Sequence, residues 1–317
     1  MMPWISIHER VEDYLTTRRR LGYKLDIEGQ QLYRFARFAE EHRHEGILTI
    51  DLAVSWANAT KKGSDLCRAR RLETVRGLAK YCALFEPETE IPPPRLLGPA
   101  HRRVAPHIYT VEETTQLLEA ATELEPKGGL RPATMRCLIG LLSATGLRIS
   151  EALHLNCSDV DFEKDMIVVK DTKFRKSRYV PLHSTTVRAL GEYARFRDQQ
   201  VIFTSCAFFR CDNGRPLHYR QALHAFQSIR RRLKWESQEG RLPRLHDLRH
   251  TFACNRLLAW YREGIDVNKA ILQLSVYLGH SKVTGTYWYL TGIPSLMAIA
   301  AERFELTASK GQEVLHG

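Results

Sequence analysis

The stretch Ala144-Thr145-Gly146-Leu147-Arg148-Ile149-Ser150-Glu151-Ala152-Leu153 decides how the C-terminal part of the chain is read. Ahead of it, Met135, Leu138, Ile139 and Leu142 recur at i, i+3, i+4 and i+7 in a segment that opens near Pro132. That is the spacing of one buried helix face. Gly146 ends the helix, because the residue just past a helix end takes a left-handed conformation that glycine adopts without penalty. Arg148 therefore stands directly after a turn. Glu151 follows by three positions, one helical turn, and is read either as the carboxylate that holds Arg148 or as an ordinary exposed helix acid.

Three more stretches follow. Residues 166–169 and Tyr179-Val180-Pro181-Leu182 are short apolar runs rich in branched side chains, with polar residues 171–175 between them. Such a pattern predicts a β-hairpin, with Lys173 and Lys176 at its turn. Leu245-His246-Asp247-Leu248-Arg249-His250-Thr251-Phe252-Ala253 opens a helix. It sets His246 and Arg249 at i and i+3 on one face, with Asp247 as its cap. Val267, Ala270, Ile271, Leu274 and Leu278 form another stripe, between Asp266 as N-cap and Gly279 at the far end. Leu278-Gly279-His280-Ser281 and Thr286-Tyr287-Trp288-Tyr289 close the series. Ala222, Phe226, Ile229 and Leu233 mark one more helix, and Thr110-Val111-Glu112-Glu113 has the form of a capping box.

In content and order, these stretches resemble the catalytic boxes of the tyrosine recombinase (phage integrase) family, closely from about Thr110 to Tyr289. The resemblance implies a set of catalytic residues: Arg148, Lys173, His246, Arg249, His280 and Tyr289. Tyr289 would be the nucleophile, nine positions after His280; Tyr287, two residues earlier, is its close rival. Lys173 would protonate the leaving 5′ oxygen, with Lys176 as the competing candidate. The implied reaction uses no metal and no other cofactor. The implied partner is double-stranded DNA, bound by a homotetramer (or related recombinase subunits) on paired sites.

The chemistry of these residue types fits that assignment. Phosphodiester cleavage builds charge on the non-bridging oxygens, and guanidinium forks match those oxygens bidentately while keeping their charge. Histidine titrates near neutrality, so His246 suits proton acceptance from the tyrosine and His280 a hydrogen bond to phosphate. A general acid must release its proton, which favours lysine over arginine at the leaving group. A phenol is a weak nucleophile at neutral pH unless nearby cations favour the phenolate. Gly285, between His280 and Tyr289, departs from the family's usual pattern and would loosen the segment that carries the nucleophile. Residues 293–305 read as an amphipathic helix with Leu296, Ile299, Ala300 and Phe304 on its apolar face, which the resemblance would dock on a neighbouring subunit.

The N-terminal region reads as helical. Ile7, Val11, Tyr14 and Leu15 form one stripe; Leu32, Phe35, Ala36 and Ala39 a second; Leu72, Val75, Ala79 and Cys82 a third; residues 50–57 add a shorter helix. Basic clusters at Arg18-Arg19-Arg20 and at Arg68, Arg70 and Arg71 are either solvated faces or phosphate contacts. Ile91-Pro92-Pro93-Pro94-Arg95, Gly98-Pro99 and Pro106 block both helix and ladder and mark a boundary. The expected architecture is mainly α with a small β-sheet, an α+β chain. Residues 1–90 are a helical module, 91–108 a proline-rich basic linker, and 109–317 the second domain. By resemblance, these are a core-binding domain and an integrase-like catalytic domain joined by the linker.

Composition narrows the alternatives. The net charge is +11, of which residues 1–100 carry +2 and the remainder +9. Basic chains bind polyanions by releasing counterions, though charge alone does not specify nucleic acid. Seven cysteines with no Cys-x-x-Cys pair argue for reduced thiols in or near the core. No apolar run reaches membrane-spanning length and the first residues do not form a secretory signal, so a cytoplasmic location is expected. Two other functions remain: a type IB topoisomerase-like enzyme that relaxes DNA, and a catalytically silent DNA-binding regulator on the same scaffold.

Overall fold

The computed structural model describes residues 6–60, 63–101, 105–170, 177–200, 205–235, 242–279 and 286. The chain divides into two compact units, Met1–Val104 and Ala105–Gly317, and is mostly helical with one small sheet.

Among the described residues, the first unit holds four helices: α1 (Ile7–Arg20), α2 (Asp26–Glu41), α3 (Ile50–Asn58) and α4 (Asp65–Cys82). Ser6, Thr49 and Ser64 start α1, α3 and α4, each side-chain oxygen accepting a backbone N–H from the first turn. The apolar stripes all face one core, with Tyr14 and Val54 among the residues at its edge. Phe35 and Trp56 meet edge-on at 5.3 Å within it. Several arginines of the basic clusters are committed to local contacts. Arg18 lies 4.0 Å over the Tyr23 ring and Arg71 4.0 Å over Trp56, while Arg68 pairs with Asp65 at 2.9 Å.

The second unit contains α5 (Val111–Thr122), α6 (Leu130–Thr145), α7 (Ile149–Leu153), β1 (Val160–Asp161), β2 (Met166–Val169), β3 (Arg178–Pro181), α8 (Ser184–Gln200), α9 (Tyr219–Leu233), α10 (Leu245–Arg262) and α11 (Val267–Leu278). Thr110 and Glu113 form the expected capping box, at 3.1 and 2.9 Å. Helix α6 packs against α5, α8 and α10 and supplies the centre of the core, including Met135, Leu138, Ile139 and Leu142. The expected hairpin is present as antiparallel β2 and β3, with Ile167 opposite Val180. The two-residue β1 extends the sheet to the order β1-β2-β3. Residues 171–176 of the hairpin lie outside the described residues. All seven cysteines are free; Cys82 and Cys254 are buried, whereas Cys67 and Cys206 are exposed rather than in the core. Among the described residues, no helix is long and apolar enough to cross a membrane.

Gly146 ends α6 with φ +63° and donates its N–H to the Leu142 carbonyl at 2.9 Å. A Cβ built there would sit 2.5 Å from Cδ1 of Phe252 on α10. Gly146→Ala combines a left-handed backbone with an overpacked contact, so a loss of about 2 kcal/mol is expected in urea unfolding. A loss below about 0.5 kcal/mol would show that the turn relaxes freely.

Candidate active site

Arg148 is the N-cap of α7, with extended backbone angles (φ −66°, ψ 142°). Glu151, one turn on, accepts from the Arg148 backbone N–H at 2.9 Å and from its Nη1 at 2.7 Å. The same carboxylate accepts from Nη1 and Nη2 of Arg178, the first residue of β3, at 3.0 and 2.8 Å. Of the two readings of Glu151, the holding carboxylate is the one found, and its side chain is only 8% exposed. Burial works to raise its carboxyl, but hydrogen bonds from Arg178 and the Arg148 backbone, together with both guanidinium charges, hold it down at about 2.

Arg249 lies in the first turn of α10, whose start is fixed by two devices. The N-cap is Arg244 and not Asp247, which is the third helical residue; from there its carboxylate reaches back to accept from the Arg244 backbone N–H at 2.8 Å and pairs with the Arg244 guanidinium at 2.8 Å. Tyr109 donates its hydroxyl to the Arg244 carbonyl at 3.0 Å and its backbone N–H to Thr251 at 2.9 Å. Buried Arg249 then donates to the carbonyls of Gly146 and Leu278, both at 2.7 Å.

The end of α11 joins these groups. Its last carbonyls have no partner within the helix and carry the negative end of the helix dipole. Three arginines take them in sequence: Arg178 donates to Tyr277, Arg249 to Leu278 and Arg148 to Gly279, each at 2.7 Å. The structure thus brings Arg148 and Arg249 onto adjacent backbone carbonyls, although 101 positions separate them. His246 shares the first turn of α10 with Arg249. Desolvation, and then the charges of Arg249, Arg244 and Arg148, push its pKa below 6.5, although Asp247 opposes them. The lowered pKa favours the neutral imidazole, the form that can accept a proton. Lys173, His280 and Tyr289, with Lys176, Gly285, Tyr287, Trp288 and residues 293–305, lie outside the described residues.

Residues 108–292 match the model of the phage integrase family. The chain belongs to the phage integrase family. A putative integrase/recombinase of Sinorhizobium fredii, y4rB, is 38% identical over 306 residues, covering 95% of this chain and 97% of that protein. The tyrosine recombinase XerC of Chlamydia trachomatis is 30% identical over 69% of this chain and 65% of its own length. Among solved structures, the Tn1549 transposon integrase in complex with transposon right end DNA shares the fold at a TM-score of 0.67 and 19% identity, over 96% of this chain and 100% of that one. A lambda integrase dimer bound to a core site aligns at a TM-score of 0.58 and 16% identity.

Against this phage integrase fold, two residues near the cluster stand out that the sequence reading gave no role. One is Arg178, the arginine of the Lys-x-Arg-x-Val-Pro-Leu run that opens the second hairpin strand. The other is His250, one turn after His246, whose ring stands perpendicular to it with centroids 4.8 Å apart. Burial, followed by the charge of His246, pushes His250 down to about 4. A histidine depressed on folding contributes stability above its unfolded pKa of 6.5 and loses it as pH falls towards the folded value. Urea unfolding is therefore expected to show stability declining from about pH 6.5 towards pH 4, with His250→Asn flattening that limb. An unchanged limb in the variant would assign the decline elsewhere.

Proposed function

We propose that this chain is a site-specific DNA recombinase that cleaves and rejoins strands through a 3′-phosphotyrosine link. The observation that carries the reading is the pair of arginines, Arg148 and Arg249, fastened to the Leu278 and Gly279 carbonyls immediately before His280. Family membership supports it, and so does the lowered pKa of His246.

In this reading Arg148 and Arg249 bind the non-bridging oxygens of the scissile phosphate, where preorganised charge is worth most. His246 takes the proton of Tyr289, whose oxygen attacks phosphorus. The bond to the 5′ oxygen breaks, and Lys173 protonates that leaving group. His280 donates to a phosphate oxygen. The phosphotyrosine bond keeps the energy that a 5′ hydroxyl later uses for religation. Residues 1–90 and 109–317, joined by linker 91–108, take hold of duplex DNA in the cytoplasm, and four copies assemble on paired sites.

The test begins by selecting a duplex from a random library with the full chain. The selected duplex is then nicked near the cleavage point, so that the released 5′ fragment diffuses away. A covalent adduct mapped by mass spectrometry to Tyr289 is expected, with strand exchange between two intact copies of the site. An adduct on Tyr287 would move the nucleophile. Relaxation of supercoils without exchange would favour a topoisomerase, and tight binding with no adduct a silent regulator.

A further inference from the structure

Arg178 reaches three acceptors on two other elements. They are both Glu151 oxygens, on α7, and the Tyr277 carbonyl, at the end of α11. Its side chain is 12% exposed. The Arg178 guanidinium also packs over Gly279, where a Cβ would lie 2.8 Å from its Nη1. Glu151 in turn grips Arg148 through both backbone and side chain. β3, α7 and the last turn of α11 thus converge on one guanidinium.

This arrangement has an electrostatic logic beyond packing. A carboxylate paired with Arg148 alone would cancel the charge that a phosphate must meet. With Arg178 sharing the carboxylate, the three groups keep a net positive charge, and Glu151 orients Arg148 without neutralising the cluster. Lysine cannot replace this function, because its ammonium lacks the planar fork that spans two carboxylate oxygens while also reaching a carbonyl.

We infer that Arg178 is a positioning residue for strand cleavage: it fixes the Glu151 carboxylate, and through it the Arg148 guanidinium, against the C-terminal turn of α11. The inference rests on the recombinase reading above. It assigns Arg178 no contact with DNA.

The test uses the full chain with Arg178→Met, Arg178→Lys, Glu151→Gln and the Arg178→Met/Glu151→Gln double variant, on the selected nicked duplex. Single-turnover adduct formation by Arg178→Met is expected to fall about 100-fold, as for a small misplacement of a catalytic group. Duplex affinity should stay within about twofold of wild type, placing the loss in the chemical step. Arg178→Lys should remain at least about tenfold slow, and it carries the comparison if the methionine variant does not fold. The double variant should be no slower than its slower single, because both act through one contact. A folded Arg178→Met protein with the wild-type adduct rate overturns the inference, as do losses that multiply in the double variant. A lowered melting temperature with an unchanged rate per folded molecule overturns it too. A wild-type chain that forms no adduct sinks the recombinase reading instead. Carbon-13 NMR titration of the Glu151 carboxyl then decides the positioning alone. In the Arg178 variant that folds, it should titrate at clearly higher pH than in wild type, and an unmoved titration overturns the inference.

Discussion

Arg249→Ala slows covalent adduct formation by about 10²- to 10³-fold and destabilises the protein in the same step. The guanidinium links the ends of two helices, donating to Gly146 after α6 and to Leu278 at the close of α11. Truncation removes a preorganised charge from the proposed phosphate site and takes a donor from each carbonyl. A buried carbonyl left without a partner costs about 1–3 kcal/mol, so the unfolding free energy should fall by several kcal/mol. The two effects separate by measuring adduct formation at temperatures where the variant is fully folded. Arg249→Lys keeps the charge but cannot reach both carbonyls with one planar group, so it should recover little of either property. An alanine variant that cleaves within tenfold of wild type would remove Arg249 from the reaction.

Glu151→Gln is expected to cost about 3 kcal/mol at neutral pH, from the fall of its carboxyl from 4.5 to about 2 on folding. Little discount for solvent applies, because the side chain is 8% exposed. A carboxyl depressed on folding stabilises above its unfolded pKa and loses that contribution as pH falls through the folded value. The gap between wild type and variant should therefore be full above pH 4.5 and close towards pH 2. Urea unfolding at pH 7 and pH 2 reads both ends of that window. A gap that is equal at the two values would mean that packing, not charge, holds the carboxylate.

Much of this fold is legible in the sequence. The helix stripes from Ile7 to Leu278 fall on buried faces, and Thr110, Asp266, Gly146 and Gly279 sit at the helix ends where their chemistry places them. Helix α8 escaped the reading because its buried face runs Leu190, Tyr193, Arg197. The third position looks solvent-facing in sequence. In the fold it is a buried arginine that donates to the Phe208 carbonyl at 2.8 Å and pairs with Asp198. The site is legible to a different degree. Arg148, His246 and Arg249 can be found from their motifs, because each stands at a helix start with a recognisable local pattern. Arg178 also stands in a recognisable run, Lys-x-Arg-x-Val-Pro-Leu, but its role is not legible, because its partners lie 27 and 99 positions away and nothing near it in sequence signals them.

On α11 the three arginines recognise main-chain oxygens, not the side chains of its last turn. The side chains of Tyr277 and Leu278 can therefore drift in sequence without changing what the arginines grip, provided the helix still ends at the same residue. Gly279 has no such latitude, since its left-handed backbone and the arginine packed over it leave no room for a side chain. The arginine cluster is thus written into the length of a helix more than into the residues of its last turn. Inserting or deleting one residue in α11 would disturb it more than most substitutions there.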